Sequence, residues 1–211
     1  RFLLTAPGAP RNSIKPISVN AQIASLKWTR PEYVQQLKDT HGEQIDYAKK
    51  PSEDFARCTV TYKDEDGNTL ISEATTSWSF VGAGLRLSFE LLGPEYSMRS
   101  NSLETGLEVF FSRKVTGSEG EDLVEKQNAE QGVMPIVPEE ASTYGYAAEN
   151  RHMVTCFLEG RTPDLTFEDG EAVVRILMAA YRSAQLERSV DPYDDDLIEF
   201  SPLVAQGKWR P

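Results

Sequence analysis

Apolar and polar side chains alternate in the first part of the chain. Residues 14–28 repeat with a period of two, and one face is formed by Ile17, Val19, Ala21, Ile23 and Ser25. This period predicts a half-buried strand that ends before Pro31. Residues 31–41 then predict a short helix, because proline is tolerated in a first helical turn and Gly42 can close the last one.

The same period returns in residues 56–63 and 69–80, which predict a β-hairpin. Asp66 and Gly67 lie between the two runs, and glycine supplies the positive φ that such a turn needs. Residues 85–92, 96–99 and 107–112 predict further strands. We therefore expect an open, mainly antiparallel sheet built as a meander.

The period changes to three and four in two later segments, which predict a pair of helices. Residues 139–159 carry an apolar stripe formed by Tyr146, Asn150, Val154, Phe157 and Leu158. Thr166 and Asp169 predict a capping box for a second helix that runs to residue 189. Its predicted buried side consists of Val173, Val174, Leu177, Ala180, Tyr181 and Ala184. Two amphipathic helices must cover a common surface, so the sequence predicts an α+β fold with the pair packed on one face of the sheet.

The 211 residues are enough for one domain with its own core. We expect a single domain over residues 1–211, with 1–13 as the end of a helix plus a turn and 191–211 as a docked tail. The opening suggests that the chain has lost an upstream part. Residues 121–132 are strongly polar and predict either a short exposed helix or a loop, and residues 134–138 an apolar connection into the first helix of the pair.

The net charge of −11 argues against nucleic acid and anionic membranes as partners, since both require a basic surface. No apolar run approaches the about 18 residues of a membrane helix, and no signal peptide is visible. We therefore expect a cytoplasmic protein. Cys58 and Cys156 are the two cysteines. Buried thiols are the default expectation, and a disulfide stays open as an alternative.

Motifs that carry chemistry are absent from the sequence. It has no GxGxxG turn, P-loop, GxSxG elbow or HExxH helix. His41 and His152 fall in different elements, so no metal site is expected. His152 has two interpretations: a polar group at the lip of a cleft near a helix start, or a surface histidine paired with Glu149 or Glu140. Trp78 is typical of a core or interface position.

Several segments, in order, resemble one family. They are SEDFARCTVTY, EATTSWSFVGAGLRLSFELLGPEYSM, GLEVFFSR, GEDLVEKQNAEQG, ENRHMVTCFLEGRTP and TFEDGEAVVRILMAAYRSAQ. Together they are similar to NAD(P)-dependent oxidoreductases related to glucose–fructose oxidoreductase and inositol dehydrogenase, the Gfo/Idh/MocA family. That family combines an N-terminal Rossmann domain with a C-terminal domain whose open sheet forms part of the substrate pocket and makes oligomer contacts. The present chain resembles the second part only.

The resemblance implies a function for the intact enzyme. It implies hydride transfer between NAD or NADP and a sugar, polyol or related hydroxyl compound. The family's glycine-rich turn, EKP-like lysine motif and junction histidine do not occur here, so no catalytic residue is expected in this chain. We expect the chain alone to be inactive and to bind no cofactor. A non-catalytic, stand-alone binding or assembly module is the alternative.

The family pocket lies close to the start of the first helix of the pair, which implies candidate residues for binding substrate. These are Tyr144, Tyr146, Asn150, Arg151 and His152, with second candidates Lys126, Gln127, Asn128, Gln131, Trp78 and Arg86. Their side chains offer the donors and acceptors that a hydroxyl-rich substrate needs. The resemblance also implies a homo-oligomer through the outward face of strands 56–63, 69–80 and 84–92.

Overall fold

The computed structural model describes residues 3–5, 9–10, 12–42, 46–50, 52–79, 86–102, 104, 108–112, 132–135 and 140–208. The chain divides into two compact units. Unit 1 contains residues 1–80 and 165–211, and unit 2 contains residues 81–164.

Unit 1 is built on an antiparallel sheet of three strands in the order β1-β2-β3. The strands are β1 (Ile14–Ala24), β2 (Phe55–Asp64) and β3 (Thr69–Ser77). The hairpin predicted from residues 56–63 and 69–80 is therefore present. Gly67 has a φ of 81° in its turn, a conformation that glycine adopts without strain.

One face of β1 differs from the prediction. The pairing of β1 with β2 shifts between Pro16 and Ser18, so Ile17 forms a bulge. A bulge turns the strand, and Ile17 becomes exposed while Val19 and Ala21 stay buried. The predicted period of two therefore holds only after residue 17.

The described part of unit 1 has two α-helices, which both start where the sequence predicts, and a 3-10 helix (Asp195–Leu197). Helix α1 (Pro31–His41) begins after Arg30 and is closed by Gly42. Helix α4 (Phe167–Leu186) begins after Thr166, whose backbone N–H donates to the Asp169 carboxylate at 2.9 Å. Helix α4 ends earlier than residue 189, because Glu187 adopts a left-handed φ of 52°. Its packing partner is β1.

The buried side of α4 also differs from the prediction. Val173, Val174 and Leu177 are about half exposed, whereas Ala179, Ala180 and Ser183 are buried. The approach of α4 to β1 explains this choice: Ser183 Oγ accepts the backbone N–H of Ala21 at 3.0 Å. Only small side chains fit where a helix comes this close to a strand.

The core of unit 1 joins α4, the sheet and the C-terminal tail. It contains Val19, Ala21, Val60, Ala179, Ala180, Val190 and Leu197, with Phe200 packed against it. Val19 and Val190 exchange two backbone hydrogen bonds of 2.8 and 2.9 Å. The free edge of β1 is thus satisfied by Val190 and by the Ser183 hydroxyl.

The described part of unit 2 contains two antiparallel strand pairs. Strand β4 (Ser88–Leu92) pairs with β5 (Ser97–Asn101), and β6 (Glu108–Phe111) pairs with β7 (Gly132–Pro135). The segment of residues 134–138 was expected to be an apolar connection, and its first two residues instead belong to β7. The polar residues 121–131, the glycines at 82 and 84, and residues 136–139 lie outside the described part of the chain.

The predicted helix over residues 139–159 is two helices. Helix α2 (Glu140–Thr143) and helix α3 (Tyr146–Glu159) are separated at Gly145, which has a left-handed φ of 84°. The predicted apolar stripe of α3 is not its buried side. Val154, Phe157 and Leu158 are all more than half exposed, and Cys156 is the buried residue of this helix.

The chain therefore has an α+β fold with open antiparallel sheets, as the sequence predicts. Helix α4 is the described helix that covers the face of the three-stranded sheet. Within the described ranges, no helix has both the length and the apolar composition that a membrane-spanning segment needs.

Candidate functional site

A cavity of about 610 Å³ lies in unit 1, beside α4 and at the end of the three-stranded sheet. Its volume falls in the range of about 300–1,000 Å³ that is typical of small-molecule sites. Much of the lining is apolar and comes from four elements, with Ala21, Ile23, Ala56, Ala74, Ile176 and Leu177.

The sheet creates this space by placing small side chains next to one another. Ala56 lies opposite Thr76, and Cys58 lies opposite Ala74, in the pairing of β2 with β3. Successive strand residues point to opposite faces, so these positions share the face that carries the cavity. Larger residues at the same positions would fill it.

Asp54 fixes the segment that enters β2. Its buried carboxylate accepts the backbone N–H groups of Leu26, Lys27 and Trp28 at 2.7, 2.8 and 2.9 Å. Its backbone carbonyl accepts the N–H of Trp78 at 2.9 Å. One residue therefore holds the turn after β1, the start of β2 and the end of β3 together. Three charge-assisted hydrogen bonds offset the cost of burying this charge.

Glu53 and Tyr181 form a hydrogen-bonded pair in the lining of the cavity. The Tyr181 hydroxyl donates to Glu53 Oε1, and the Ser52 hydroxyl donates to Glu53 Oε2 at 3.0 Å. Burial, followed by the hydrogen bond and the charge of Glu53, raises the pKa of Tyr181 to about 12. The phenol is therefore protonated at neutral pH and is a fixed donor to the carboxylate.

Three other side chains complete the polar and aromatic lining. Arg57 Nη2 lies 3.3 Å from Glu73 Oε1, so its charge is paired on the sheet surface. Burial raises the pKa of the Cys58 thiol, which favours the unreactive protonated form. Trp78 lines the cavity and is 82% exposed, which places it at the rim.

Trp78, a second candidate that the resemblance implies, lines this cavity, whereas Glu53, Tyr47 and Tyr181 are not among the candidates. Glu53 lies in a stretch that reads as a polar connection, and 128 residues separate it from Tyr181. No local pattern marks such a pair. A tyrosine on the apolar side of a helix is the one available signal, since a buried phenol usually has a hydrogen-bond partner.

The other described candidates lie in unit 2. The rings of Tyr144 and Tyr146 are brought together, with centroids 6.3 Å apart. Asn150 and Arg151 are exposed one turn later on α3, and Arg86 is exposed before β4. Lys126, Gln127, Asn128 and Gln131 lie outside the described residues.

His152 has a structural partner that the sequence did not suggest. Its Nε2 accepts the backbone N–H of Asp164 at 3.0 Å and lies 3.5 Å from Cys156 Sγ. Its carboxylate neighbour is Asp164 at 3.7 Å, where the sequence suggested Glu149 or Glu140. The imidazole thus ties the turn after α3 back to the helix.

The described residues contain no group of three or more His, Cys, Asp or Glu placed to hold a metal. Helices α1, α3 and α4 have acidic residues in their first turns, namely Glu32, Glu149, Glu168 and Asp169. The positive end of the helix dipole stabilises negative charge at these positions.

Comparison with solved structures identifies the class of protein. The chain is similar to GenD2 from gentamicin A biosynthesis, solved in complex with NAD, with a TM-score of 0.58 and 25% identity over 83% of this chain and 41% of that one. It also shares its fold with myo-inositol 2-dehydrogenase from Lactobacillus plantarum, with a TM-score of 0.50 and 18% identity over 84% of this chain and 42% of that one.

These matches confirm the resemblance to Gfo/Idh/MocA-type dehydrogenases that the sequence predicts. The chain spans about two fifths of the length of these structures. No protein-family model matches the chain, and no curated protein sequence matches it.

Proposed function

We propose that this chain is the substrate and subunit-contact domain of an NAD(P)-dependent oxidoreductase. The intact enzyme transfers a hydride between the cofactor and a sugar, polyol or related hydroxyl compound. NAD or NADP is held by a Rossmann domain that precedes this domain in the intact enzyme. The catalytic lysine and histidine belong to that larger part, so this chain alone is inactive and binds no cofactor.

The similarity to GenD2 carries the proposal, because it combines the fold with 25% identity and a structure that holds NAD. The share of that structure which is matched, 41%, suits one domain of a two-domain enzyme.

Within this domain, we assign substrate binding to residues near the start of α3. Tyr144 and Tyr146 lie side by side, and Asn150 and Arg151 follow on exposed positions of the helix. Phenol, amide and guanidinium groups supply the mixed donors and acceptors that several neighbouring hydroxyls require. Lys126, Asn128, Gln131 and Arg86 remain further candidates.

A binding module without catalysis is the second candidate. One observation favours it: the cavity of unit 1 is lined by residues of that unit alone. A small molecule could therefore bind there without any contribution from a second domain. The two candidates differ in whether the natural polypeptide that contains this chain binds a nicotinamide cofactor.

The experiment compares two proteins: this 211-residue chain, and the full polypeptide encoded by the gene that contains it. Binding of NADH and NADPH is followed by cofactor fluorescence. Reduction of NAD⁺ and NADP⁺ is followed by absorbance with a panel of inositols, aldoses and amino sugars. We expect cofactor binding and turnover with the full polypeptide and neither with this chain.

Variants of the full polypeptide test the residue assignment. Tyr146→Phe and Asn150→Ala are expected to raise KM by about tenfold, because each removes a hydrogen bond to the substrate. Glu171→Gln, a change on the exposed side of α4, is the matched control and is expected to leave KM unchanged. A full polypeptide that binds neither cofactor would refute the oxidoreductase proposal and favour the binding module.

A further inference from the structure

The cavity of unit 1 carries a negative charge that no neighbouring cation balances. Glu53 receives hydrogen bonds from two neutral hydroxyls, those of Ser52 and Tyr181. The Asp54 carboxylate accepts three backbone N–H groups, which balance part of its negative charge. Arg57 is the cationic residue in the lining, and it pairs with Glu73. Among the described residues, therefore, Glu53 has hydrogen-bond donors but no ion-pair partner.

Aromatic residues share the lining of the cavity with this carboxylate. Tyr47, Phe55, Trp78 and Tyr181 all line the same cavity as Glu53. The faces of aromatic rings attract cations, and the attraction grows when the cation leaves water. One lysine of unit 1 makes this kind of contact: Lys27 Nζ lies 4.4 Å from the centroid of the Trp28 ring and 4.9 Å from that of the Tyr33 ring.

The other lining residues determine which kind of uncharged group fits the cavity. Ala56, Ala74, Ile176 and Leu177 present methyl and methylene groups, which favour an apolar or aromatic group over a hydrated one. A strongly hydrated metal cation does not suit such walls, and an anion is repelled by Glu53 and Asp54. A neutral hydroxyl compound leaves the carboxylate charge unbalanced.

We propose that the cavity of unit 1 is a binding site for an organic cation, namely an ammonium group on an apolar or aromatic body. The ammonium donates to the Glu53 carboxylate while the body lies between α4 and the small side chains of β2 and β3. Tyr181 holds Glu53 in place as its phenolic donor. The proposal goes beyond the oxidoreductase reaction, and all residues of the site belong to unit 1.

Calorimetry on the 211-residue chain tests the proposal with three probes of the same shape. They are 2-phenylethylamine, the neutral 2-phenylethanol and the anionic 3-phenylpropanoate. We expect the amine to bind with a dissociation constant below about 1 mM, a modest affinity for a ligand of its size. The alcohol should bind at least about tenfold more weakly, because it lacks the charge-assisted hydrogen bond. The anion should not bind.

Substitutions at the carboxylate locate the site. Glu53→Gln keeps the size of the side chain and removes its charge, so amine affinity should fall by at least about tenfold. Tyr181→Phe keeps the charge but removes the donor that holds Glu53, so amine affinity should fall less than in Glu53→Gln, by about threefold. Glu171→Gln removes an exposed carboxylate on α4, the helix that carries Tyr181, and should leave the amine affinity unchanged. Circular dichroism spectra check that each variant is folded.

Cys58 gives a second readout that needs no variant. It lines the cavity and is only partly buried, whereas Cys156 is buried and does not line the cavity. A thiol reagent should therefore modify Cys58 before Cys156, although slowly at neutral pH because burial raises the pKa of Cys58. The amine should slow this modification at least about fivefold at saturation, because it occupies the cavity. Peptide mapping identifies the modified cysteine.

Three results would overturn the proposal. The first is equal binding of the alcohol and the amine, which would make the cavity a neutral apolar site. The second is amine binding that leaves Cys58 unprotected or is unchanged in folded Glu53→Gln, which would place the amine elsewhere on the acidic surface. The third is no saturable binding up to about 10 mM, the weak end of specific recognition.

Discussion

Tyr181 and Glu53 show how a single contact can join distant parts of the sequence. The phenol lies on α4 and the carboxylate lies just before β2. Both residues line the cavity, and a hydrogen bond joins them there. To ionise, the Tyr181 phenol would have to lose its proton next to the negative charge of Glu53. Burial and this charge both oppose the loss, so the pKa of Tyr181 is raised to about 12.

This raised pKa predicts the behaviour of the protein at high pH. The stabilisation from the protonated phenol is complete below pH of about 10, the ordinary pKa of tyrosine, and is lost as the pH rises through about 12. In an absorbance titration of the folded protein, we expect one late tyrosinate step near pH 12. Tyr181→Phe should remove that step, and Tyr96→Phe, at an exposed position, should leave it in place. A titration in which Tyr181→Phe changes nothing would contradict the assignment.

At the same scale, Asp54 shows what a sequence hides. Nothing in the polar residues 46–54 distinguishes an aspartate that accepts three backbone N–H groups from one that faces solvent. Its partners lie 26 to 28 residues earlier, and their positions depend on how β1 ends. A residue of this kind can be assigned only when the fold is known.

Secondary-structure elements were predictable where their signals are local. The end of α1 at Gly42, the hairpin turn at Gly67 and the capping box of Thr166 and Asp169 each depend on a few neighbouring residues. Backbone conformation and nearby hydrogen bonds determine such features, so the sequence contains the necessary information. The break at Gly145 has the same kind of cause, and the predicted apolar stripe starts directly after it, at Tyr146.

The buried faces of the helices were less predictable, because they depend on tertiary approach. Val173, Val174 and Leu177 follow a good helical period, but the close contact of α4 with β1 selects Ala179, Ala180 and Ser183. The site follows the same rule. Trp78 is a candidate only through the family resemblance, and Glu53 and Tyr181 become partners only through the packing of α4 on the sheet.

Two glycines give a matched test of backbone conformation in the helices. A Cβ atom added to Gly170 or to Gly160 would meet no heavy atom within 4 Å. Gly170 lies inside α4, whereas Gly160 ends α3 with a φ of 65°. Alanine should therefore stabilise at Gly170 by up to about 1 kcal/mol, through higher helix propensity and a less flexible unfolded chain.

Gly160→Ala should have the opposite effect. It should cost about 1 kcal/mol, since a left-handed conformation strains a residue with a Cβ atom. Thermal unfolding followed by circular dichroism measures both changes against the wild type. If both substitutions shifted the melting temperature equally and in the same direction, the φ angle of the glycine would not determine the change in stability. The free space around the added Cβ atom would then determine it.

At the scale of the whole molecule, the exposed face of the three-stranded sheet is the feature that remains to be explained. Because side chains alternate along a strand, Ile71 and Glu73 lie on the face opposite to Val60 and the core. Thr61 is paired with Ile71, and Arg57 reaches Glu73 across the strands. A flat face of threonines, one ion pair and an isoleucine that is 62% exposed suits contact with a second copy of the chain.

We therefore expect the protein to form a homo-oligomer through this face, and Ile71 to lie near its centre. In a symmetric dimer the same patch is used twice, so Ile71→Lys places two new charges in one interface. Loss of apolar burial and the cost of desolvating lysine should weaken association by about a hundredfold or more. Light scattering across a concentration series measures the change in mass.

Ile198→Lys is the control: it replaces an isoleucine that is 72% exposed in the C-terminal tail, and it should leave the mass unchanged. A wild-type monomer at all concentrations, or an equal effect of the two substitutions, would exclude this face as the subunit contact.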